Sequence, residues 1–287
     1  MEPIRKQFHS DATFPFDIVY KDTKQSHDEL PHHLHEWCEL IYVYGGTGSF
    51  FIDQTLYDMH AGDLFIIPED TIHRAFPDAA NPVTSTAIFF NPVFVRPSLI
   101  GDPFSYLHAF EQSKKRKSYK FACPPSFQTH LEQHLEQICE EMLTKRSSYR
   151  QAIVLHLQYI LFGLIRETEP EHQPELTGSH YGPLWMQETL RDINMRLFEN
   201  IGLAVLAKQA AVSAAHFSRV FKQLTGMNVT SYITTKRIIH AKELLRESDS
   251  SVSSIAMCCG FESLPHFYRV FKKITGATPT EYKKQQG

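Results

Sequence analysis

The C-terminal third of this 287-residue chain contains an internal repeat with a period of fifty residues. The segment HFSRVFKQLTG at 216–226 returns as HFYRVFKKITG at 266–276, and ten of the seventeen positions from 216 to 232 are identical to their partners. Two copies are too few for a solenoid, which stacks many units to bury one continuous core. The repeat therefore predicts two copies of one small folded unit.

Each copy is predicted to contain two short helices, the second of which has one apolar side. The apolar stripe has the spacing i, i+3, i+4 and i+7 of a helix packed on one face. It consists of Phe217, Val220, Phe221 and Leu224 in the first copy and of Phe267, Val270, Phe271 and Ile274 in the second. Ser213 and Ser263 are predicted N-caps of these helices, and Gly226 and Gly276 end them.

The side of each second helix opposite the stripe is free to contact a partner. We call these sides the first reading face, which is Ser213, Ala214, Ala215, Ser218, Arg219 and Lys222, and the second reading face, which is Ser263, Leu264, Pro265, Tyr268, Arg269, Lys272 and Lys273. Small residues at the helix start allow close approach to a DNA groove, arginine can bind guanine with two hydrogen bonds, and lysine can meet phosphate. The layout predicts two helix-turn-helix units that read double-stranded DNA.

Charge is also distributed unevenly along the chain, and the predicted DNA-binding part is the basic one. Residues 201–287 carry twelve Lys/Arg and five Asp/Glu, a formal charge of +7, whereas the preceding 200 residues carry −10. Only the C-terminal part is therefore expected to approach phosphate. A solvated cationic face would give the same asymmetry, so charge supports the repeat argument without deciding it.

Residues 232–246 between the copies are predicted to form one connecting helix with Lys236, Arg237 and Lys242 facing outward. A rigid connector would hold the two reading helices at a fixed separation, and successive major grooves on one DNA face lie about 34 Å apart. A tandem repeat on one chain also predicts an asymmetric DNA site rather than half of a palindrome.

The segment from Leu184 to Tyr282 resembles the AraC family of transcription regulators. The resemblance rests on the following residues: Leu206, Ala207, Ser213, Phe217, Arg219, Phe221, Lys222, Gly226, Arg237, Ala241, Leu244, Leu245, Ile255, Ala256, Gly260, Phe261, Phe267, Arg269, Phe271, Lys272, Gly276, Pro279 and Tyr282. Val229 departs from the pattern, because the family often has a proline there that matches Pro279. Leu264 and Pro265 are apolar where polar residues are common.

Residues 15–95 are rich in short β-type runs. Residues 39–44 and 48–52 are separated by Gly45, Gly46 and Thr47, which predicts a hairpin, and residues 64–68 read as a further strand. Several short strands with Gly, Pro and Asp turns favour a barrel or jelly roll. The predicted fold class is thus α+β, with an N-terminal cupin-like β-barrel, a helical linker region and a C-terminal all-α domain that contains two helix-turn-helix units.

A polar cluster is predicted inside this barrel. His33, His35, Glu39 and His73, spaced around Gly46, Gly62 and Pro68, resemble the two motifs of a cupin, although Asp70 and Pro77 replace the glycine and asparagine of the second motif. In an extended chain His33, His35 and Glu39 share one face. These ligands suit Zn, Fe, Ni or Mn. This interpretation of the cluster requires no cofactor. A divalent metal site and a metal-free hydrogen-bonding pocket for an effector both remain open.

Two amphipathic helices are predicted between barrel and repeat, around Phe127–Met142 and Ile153–Leu164. They would pack on the barrel or form a homodimer face. Residues 167–181 read as a linker. The predicted domains are 1–100, an effector-sensing barrel; 101–180, a helical linker and dimerisation region; and 181–287, the DNA-binding domain.

The predicted function is a sequence-specific transcription regulator controlled by a small-molecule effector in the barrel, and it could be an activator or a repressor. Promoter DNA and RNA polymerase are the expected partners, and a sugar is one candidate effector. The alternative is a cupin-type metalloenzyme, which would leave the repeat without a purpose, so no enzymatic activity and no catalytic residue are expected. The first ten residues have no apolar run for export and no segment is long enough for a membrane span, which favours a cytoplasmic protein.

Overall fold

The computed structural model describes residues 4–6, 8, 13–24, 33–95, 104–168 and 183–286. By its internal contacts the chain divides into two units. The barrel unit comprises Gln7–Leu30 and His35–Tyr181, and the helical unit comprises Met1–Lys6, Pro31–Leu34 and Gly182–Gly287. No helix within the described ranges is both long and apolar enough to cross a membrane.

The strands of the barrel unit form two sheets. The strands are β2 (Phe16–Lys24), β4 (Cys38–Gly45), β5 (Gly48–Ile52), β6 (Thr55–Met59), β7 (Asp63–Ile67), β8 (His73–Pro77), β9 (Val83–Phe90) and β10 (Lys120–Ala122). One sheet has the order β10-β7-β4-β9-β2, and the other contains β8-β5-β6. Strands β1 (Ile4–Arg5) and β3 (His33–Leu34) form a parallel pair in the segments that group with the helical unit.

Side chains of β4 alternate between two apolar cores, because successive residues of a strand point to opposite faces. Ile41 and Val43 join the core between the two sheets, with Phe50, Tyr57 and Phe65. Leu40 and Tyr42 join the core on the outer face of the first sheet. Both faces of this strand are therefore buried, which explains the unbroken apolar run from Leu40 to Val43.

The predicted hairpin of residues 39–52 is wrong. β4 pairs with β7 and β9, whereas β5 pairs with β6 and β8, so the Gly-Gly-Thr segment crosses from one sheet to the other. A Cβ on Gly46, where φ is +85°, would lie 2.1 Å from the carbonyl oxygen of Pro82. The glycine is thus required by a close approach of two backbones. The hairpin is instead β5–β6, whose turn has Asp53 at φ +58°.

The barrel unit also contains α1 (His108–Arg116), α2 (Pro125–Thr144) and α3 (Tyr149–Thr168). The apolar sides of α2 and α3 pack on the outer face of the first sheet, with Leu135, Ile138, Leu157 and Leu161 almost fully buried. The segment 101–180, predicted as helical, also contributes strand β10. Of the predicted linker 167–181, the first two residues end α3, and positions 169–181 lie outside the described residues.

The helical unit has the element order expected for a repeated helix-turn-helix. Its helices are α4 (Leu184–Met195), α5 (Leu203–Gln209), α6 (Ala214–Thr225), α7 (Val229–Glu247), α8 (Val252–Cys258), α9 (Leu264–Thr275) and α10 (Pro279–Gln286). The pairs α5–α6 and α8–α9 are the two copies, and α7 connects them. The connecting helix begins three residues earlier than predicted, because the side chain of Asn228 accepts a hydrogen bond from the amide of Ser231 and caps it.

Candidate nucleic-acid interface and histidine cluster

The two second helices, α6 and α9, begin and end in the same way. Ser213 Oγ accepts a hydrogen bond from the amide of His216 at 3.2 Å, and Ser263 Oγ accepts one from the amide of His266 at 3.5 Å. Gly226 and Gly276 then end the helices with φ of +68° and +83°. Both predicted N-caps and both predicted C-caps are confirmed.

The apolar stripes of α6 and α9 fill the cores of the two copies. Phe217, Phe221, Phe267 and Phe271 each have 0% exposure. Val270 and Ile274 are also buried, whereas their partners Val220 and Leu224 are half-buried. In each copy a ring from the following helix closes the core: Tyr232 lies 5.6 Å from Phe221, and Tyr282 lies 5.7 Å from Phe271. Burial of this side turns the other side outward.

The two reading faces are exposed almost throughout. In the first, Ser213, Ala214, Ala215, Arg219 and Lys222 are exposed and Ser218 is half-buried; in the second, Ser263, Leu264, Pro265, Arg269, Lys272 and Lys273 are exposed and Tyr268 is half-buried. The hydroxyl of Tyr268 is 3.0 Å from Thr280 Oγ1, which orients its ring. Arg219 and Arg269 occupy the same position of their helices. The structure therefore presents two matched cationic helix sides.

Sequence reasoning missed one pair of residues at these faces. His216 and His266 are exposed in the first turns of α6 and α9. The ring of His216 lies 6.1 Å from that of Trp185, and the ring of His266 lies 5.9 Å from that of Phe261. Their identity in the two copies of the repeat is the signal that could have found them.

Two of the three cations predicted to face outward on α7 do not. Lys242 has 4% exposure, and its Nζ lies 5.3 Å from the ring centre of Tyr282 on α10. Arg237 is half-buried and donates hydrogen bonds to backbone carbonyls. The helical period was correct, but α7 is covered on more than one side.

In the barrel unit, β4 and β8 bring three of the predicted polar residues together. Glu39 has the same parity on β4 as Ile41, so its side chain lies between the two sheets. Its Oε2 lies 2.9 Å from His35 Nε2 and 3.0 Å from His73 Nε2. All three side chains are buried, with ligand atoms within 4.8 Å of one another.

The second nitrogen of each ring fixes the chemistry of this cluster. His35 Nδ1 lies 2.8 Å from the carbonyl oxygen of Trp37, and His73 Nδ1 lies 2.8 Å from that of Thr71. A carbonyl oxygen only accepts, so each Nδ1 carries a proton. The Nε2 of a neutral ring would then present a lone pair to the carboxylate. The contacts are attractive only if the Nε2 atoms are also protonated or if a cation lies among the three atoms.

The electrostatics favour an ionised carboxylate here. Burial alone would raise the pKa of Glu39, but the positive charge of His73 and hydrogen bonds from His35 and His73 outweigh it and hold the pKa well below its usual value. A carboxylate oxygen that is anionic at neutral pH and lies between two nitrogens suits either bound protons or a bound metal ion.

The fourth predicted residue, His33, does not belong to the barrel unit. It is buried at 6% exposure on β3, in the segment 31–34 that groups with the helical unit. Its membership of the cluster stays a prediction.

Aromatic rings and a strained turn surround the cluster. The Phe8 ring is stacked on Trp37 with centroids 4.1 Å apart, and it meets the edge of His35 at 5.4 Å. Asp70, at the position where the cupin pattern has glycine, adopts φ +59°, and its amide donates to the carbonyl of His35 at 2.7 Å. Aspartate tolerates this left-handed conformation better than most residues, so the departure from the pattern leaves the turn intact.

Comparison with known proteins agrees with both halves of this description. The AraC-like ligand binding domain family matches residues 15–161, and a helix-turn-helix domain family matches residues 206–285. The HTH-type transcriptional activator RhaR of Salmonella typhi is 25% identical over 264 residues, which are 90% of this chain and 88% of the relative.

Solved structures with similar chains include ToxT from Vibrio cholerae, 12% identical with a TM-score of 0.38 over 95% of this chain and 98% of that chain. The DNA-binding domain of AdpA, solved with a target DNA, is 32% identical with a TM-score of 0.33 over 34% of this chain and 88% of that chain. The ligand binding domain match alone spans half of the sequence. The chain belongs to the AraC family of DNA-binding transcription regulators, with an N-terminal ligand-binding domain and a C-terminal helix-turn-helix domain.

Proposed function

We propose that the chain binds promoter DNA through the two reading faces, with α6 and α9 in successive major grooves. Arg219 and Arg269 are both exposed, and each lies on the side of its helix opposite the fully buried phenylalanines. This matched arrangement carries the proposal. Each arginine would contact a base edge or the groove, and Lys222, Lys272 and Lys273 would contact phosphates. The exposed small and apolar residues at the starts of the helices would lie against the groove walls.

Replacement of either arginine tests this assignment. Arg219→Ala and Arg269→Ala should each weaken binding to the specific site by about 1–3 kcal/mol and weaken binding to random DNA less. Arg191→Ala, at an exposed arginine of α4, is the matched control and should leave both affinities unchanged. Equal losses on both DNAs would reduce the two arginines to phosphate contacts, and no loss would remove α6 and α9 as the reading helices.

We further propose that the barrel senses a small molecule, for which a sugar is one candidate, at the cluster of His35, Glu39 and His73. Polar side chains buried among aromatic rings, here the half-buried Phe8 and Trp37, are the usual composition of a ligand pocket. If a divalent transition metal is resident, His35, Glu39 and His73 would hold it, and it would supply a binding point for an oxygen or nitrogen atom of the effector. If none is resident, the same residues would bind the effector by hydrogen bonds.

Metal analysis of the purified chain separates these two versions. A stoichiometric metal that is lost in His35→Ala would establish the metal site, and a metal-free protein that still responds to its effector would establish the hydrogen-bonding pocket. The pocket is proposed to signal and not to catalyse, so the effector should be recovered unchanged after incubation. Measurable turnover would favour the cupin-type metalloenzyme instead.

The remaining features of the proposal concern partners and organisation. The chain would act as a cytoplasmic activator that contacts RNA polymerase, with residues 1–100, 101–180 and 181–287 as sensing, linking and DNA-binding parts. The exposed apolar row of Leu155, Tyr159 and Phe162 on α3 supports a homodimer, because it remains uncovered after the opposite side of the helix packs on the sheet.

A further inference from the structure

Arg237, in the middle of α7, uses all three of its side-chain nitrogens to bind backbone carbonyls. Its Nε donates to the carbonyl of Leu197 at 2.8 Å, its Nη2 to that of Glu199 at 2.7 Å, and its Nη1 to that of Gly260 at 2.8 Å. The three acceptors come from two segments that are more than fifty residues apart in sequence. One side chain therefore joins three parts of the helical unit.

These segments belong to different copies of the repeat. Leu197 and Glu199 lie in the stretch between α4 and α5, which leads into the first helix-turn-helix. Gly260 lies in the turn between α8 and α9 of the second. Since α7 is the connector, Arg237 ties the connector to both copies at once.

The two segments are in direct contact where the arginine holds them. Gly260 has φ +74°, and a Cβ built on it would lie 2.7 Å from the carbonyl oxygen of Phe198 and 3.1 Å from Arg237 Cζ. No other side chain fits there without displacement of backbone. The turn of the second copy thus packs directly against residues 197–199, and the guanidinium of Arg237 is hydrogen-bonded to both segments. We call this contact the joint.

A guanidinium suits this position for a chemical reason. It is planar and presents a fixed fork of donors, whereas a lysine ammonium is a compact charge that cannot reach three carbonyls in different directions. Burial lowers the pKa of Arg237, but an arginine remains charged at neutral pH, so its hydrogen bonds stay charge-assisted.

We propose that Arg237 is a positioning residue that fixes the separation of α6 and α9, and that it thereby determines which spacing between two half-sites the chain accepts. The inference rests on the proposed DNA binding by both reading faces. With a rigid joint, binding of one face presents the other at the next major groove. With a loose joint, the position of the second reading face varies, so its effective concentration at the second half-site falls.

Binding of the full chain to DNA of altered spacing tests this role. The wild-type chain first selects duplexes from a random library; the selected duplex is then compared with versions that have one or two base pairs inserted between its halves, and with each half alone. Arg237→Gln and Arg237→Lys remove the fork, Gly260→Ala disturbs the same joint from the other side, and Arg246→Gln on the same helix is the control.

For the wild type and Arg246→Gln, we expect insertion to weaken binding about tenfold or more. For the three joint variants, affinity for the selected duplex should fall by about tenfold, the penalty for insertion should shrink to about threefold or less, and affinity for each half alone should be unchanged.

Retention of the wild-type spacing penalty in Arg237→Gln would overturn the proposal. So would equal losses on half-sites and full sites with a lowered melting temperature, because that pattern means only that the unit is less stable. If the wild-type chain selects no duplex at all, the underlying DNA-binding assignment fails, which is a distinct result.

Discussion

Glu39→Gln is the sharpest perturbation of the barrel cluster, because it removes one charge and keeps the shape of the side chain. The carboxylate oxygen has histidine nitrogens at 2.9 and 3.0 Å, and the residue is 3% exposed. Hydrogen bonds to a charged group contribute about 1.5–3 kcal/mol each, and neutral ones about 1 kcal/mol. Two charged bonds replaced by neutral ones predict a loss of about 1–4 kcal/mol in the free energy of unfolding.

Urea unfolding monitored by Trp37 fluorescence measures this loss. The chain has two tryptophans, Trp37 in the barrel unit and Trp185 in the helical unit, so a Trp185→Phe background isolates the barrel signal. The urea midpoint should fall by about 1 M, since a typical dependence is about 1–3 kcal/mol per molar urea. Glu136→Gln, at an exposed glutamate of α2, should leave the midpoint unchanged.

The pH dependence has a defined sign. The pKa of Glu39 is lower in the folded state than in the unfolded chain. Its stabilising contribution is therefore complete above about pH 4.3, the unfolded value, and it is lost as the pH falls towards the folded-state pKa. The gap between wild type and Glu39→Gln should therefore close as the pH falls below about 4.3. A variant as stable as wild type at pH 7 would refute the reasoning about the buried charge.

Three further predictions concern the core, the separability of the units and the α3 surface. Phe217→Ala and Phe267→Ala each empty a fully buried site and should cost about 3–5 kcal/mol, measured by urea unfolding with Trp185 as the probe; a loss below 1 kcal/mol would contradict the buried stripe. The fragment 181–287 should fold alone, judged by circular dichroism, and bind DNA with an affinity that falls steeply with salt; a folded fragment without salt-dependent binding would contradict it. Leu155→Glu with Tyr159→Glu should convert a dimer to a monomer in sedimentation, and an unchanged sedimentation coefficient would exclude this surface.

The parts of the fold that are local in sequence were predictable. The fifty-residue offset placed α6 and α9, and Ser213 and Gly226 set the ends of α6 through contacts within a few residues. The strand parity of His35 and Glu39 also predicted their meeting, although the chain is irregular between them. These features depend on neighbours along the chain, which a single sequence displays.

The parts that depend on distant packing were not. The Gly45–Gly46 signal indicates a turn, but only the approach of Pro82 decides that the turn changes sheets. Lys242 reads as a solvated cation until Tyr282, forty residues later, covers it. The sequence also suggests a solvated cation at Arg237, since the carbonyl groups that accept its hydrogen bonds, at 197, 199 and 260, are far from it along the chain. A period of 3.6 residues gives the face of a helix but not what covers that face.

Footprinting of the full chain on the DNA upstream of its own gene shows whether both reading helices bind DNA together. Two reading helices on one rigid unit predict two protected segments for each bound chain, on one face of the duplex, with centres about 10 base pairs apart and without palindromic symmetry between them. Loss of one segment in Arg219→Ala and of the other in Arg269→Ala would assign each helix to its groove. A single protected segment, or protection that does not depend on sequence, would contradict the account.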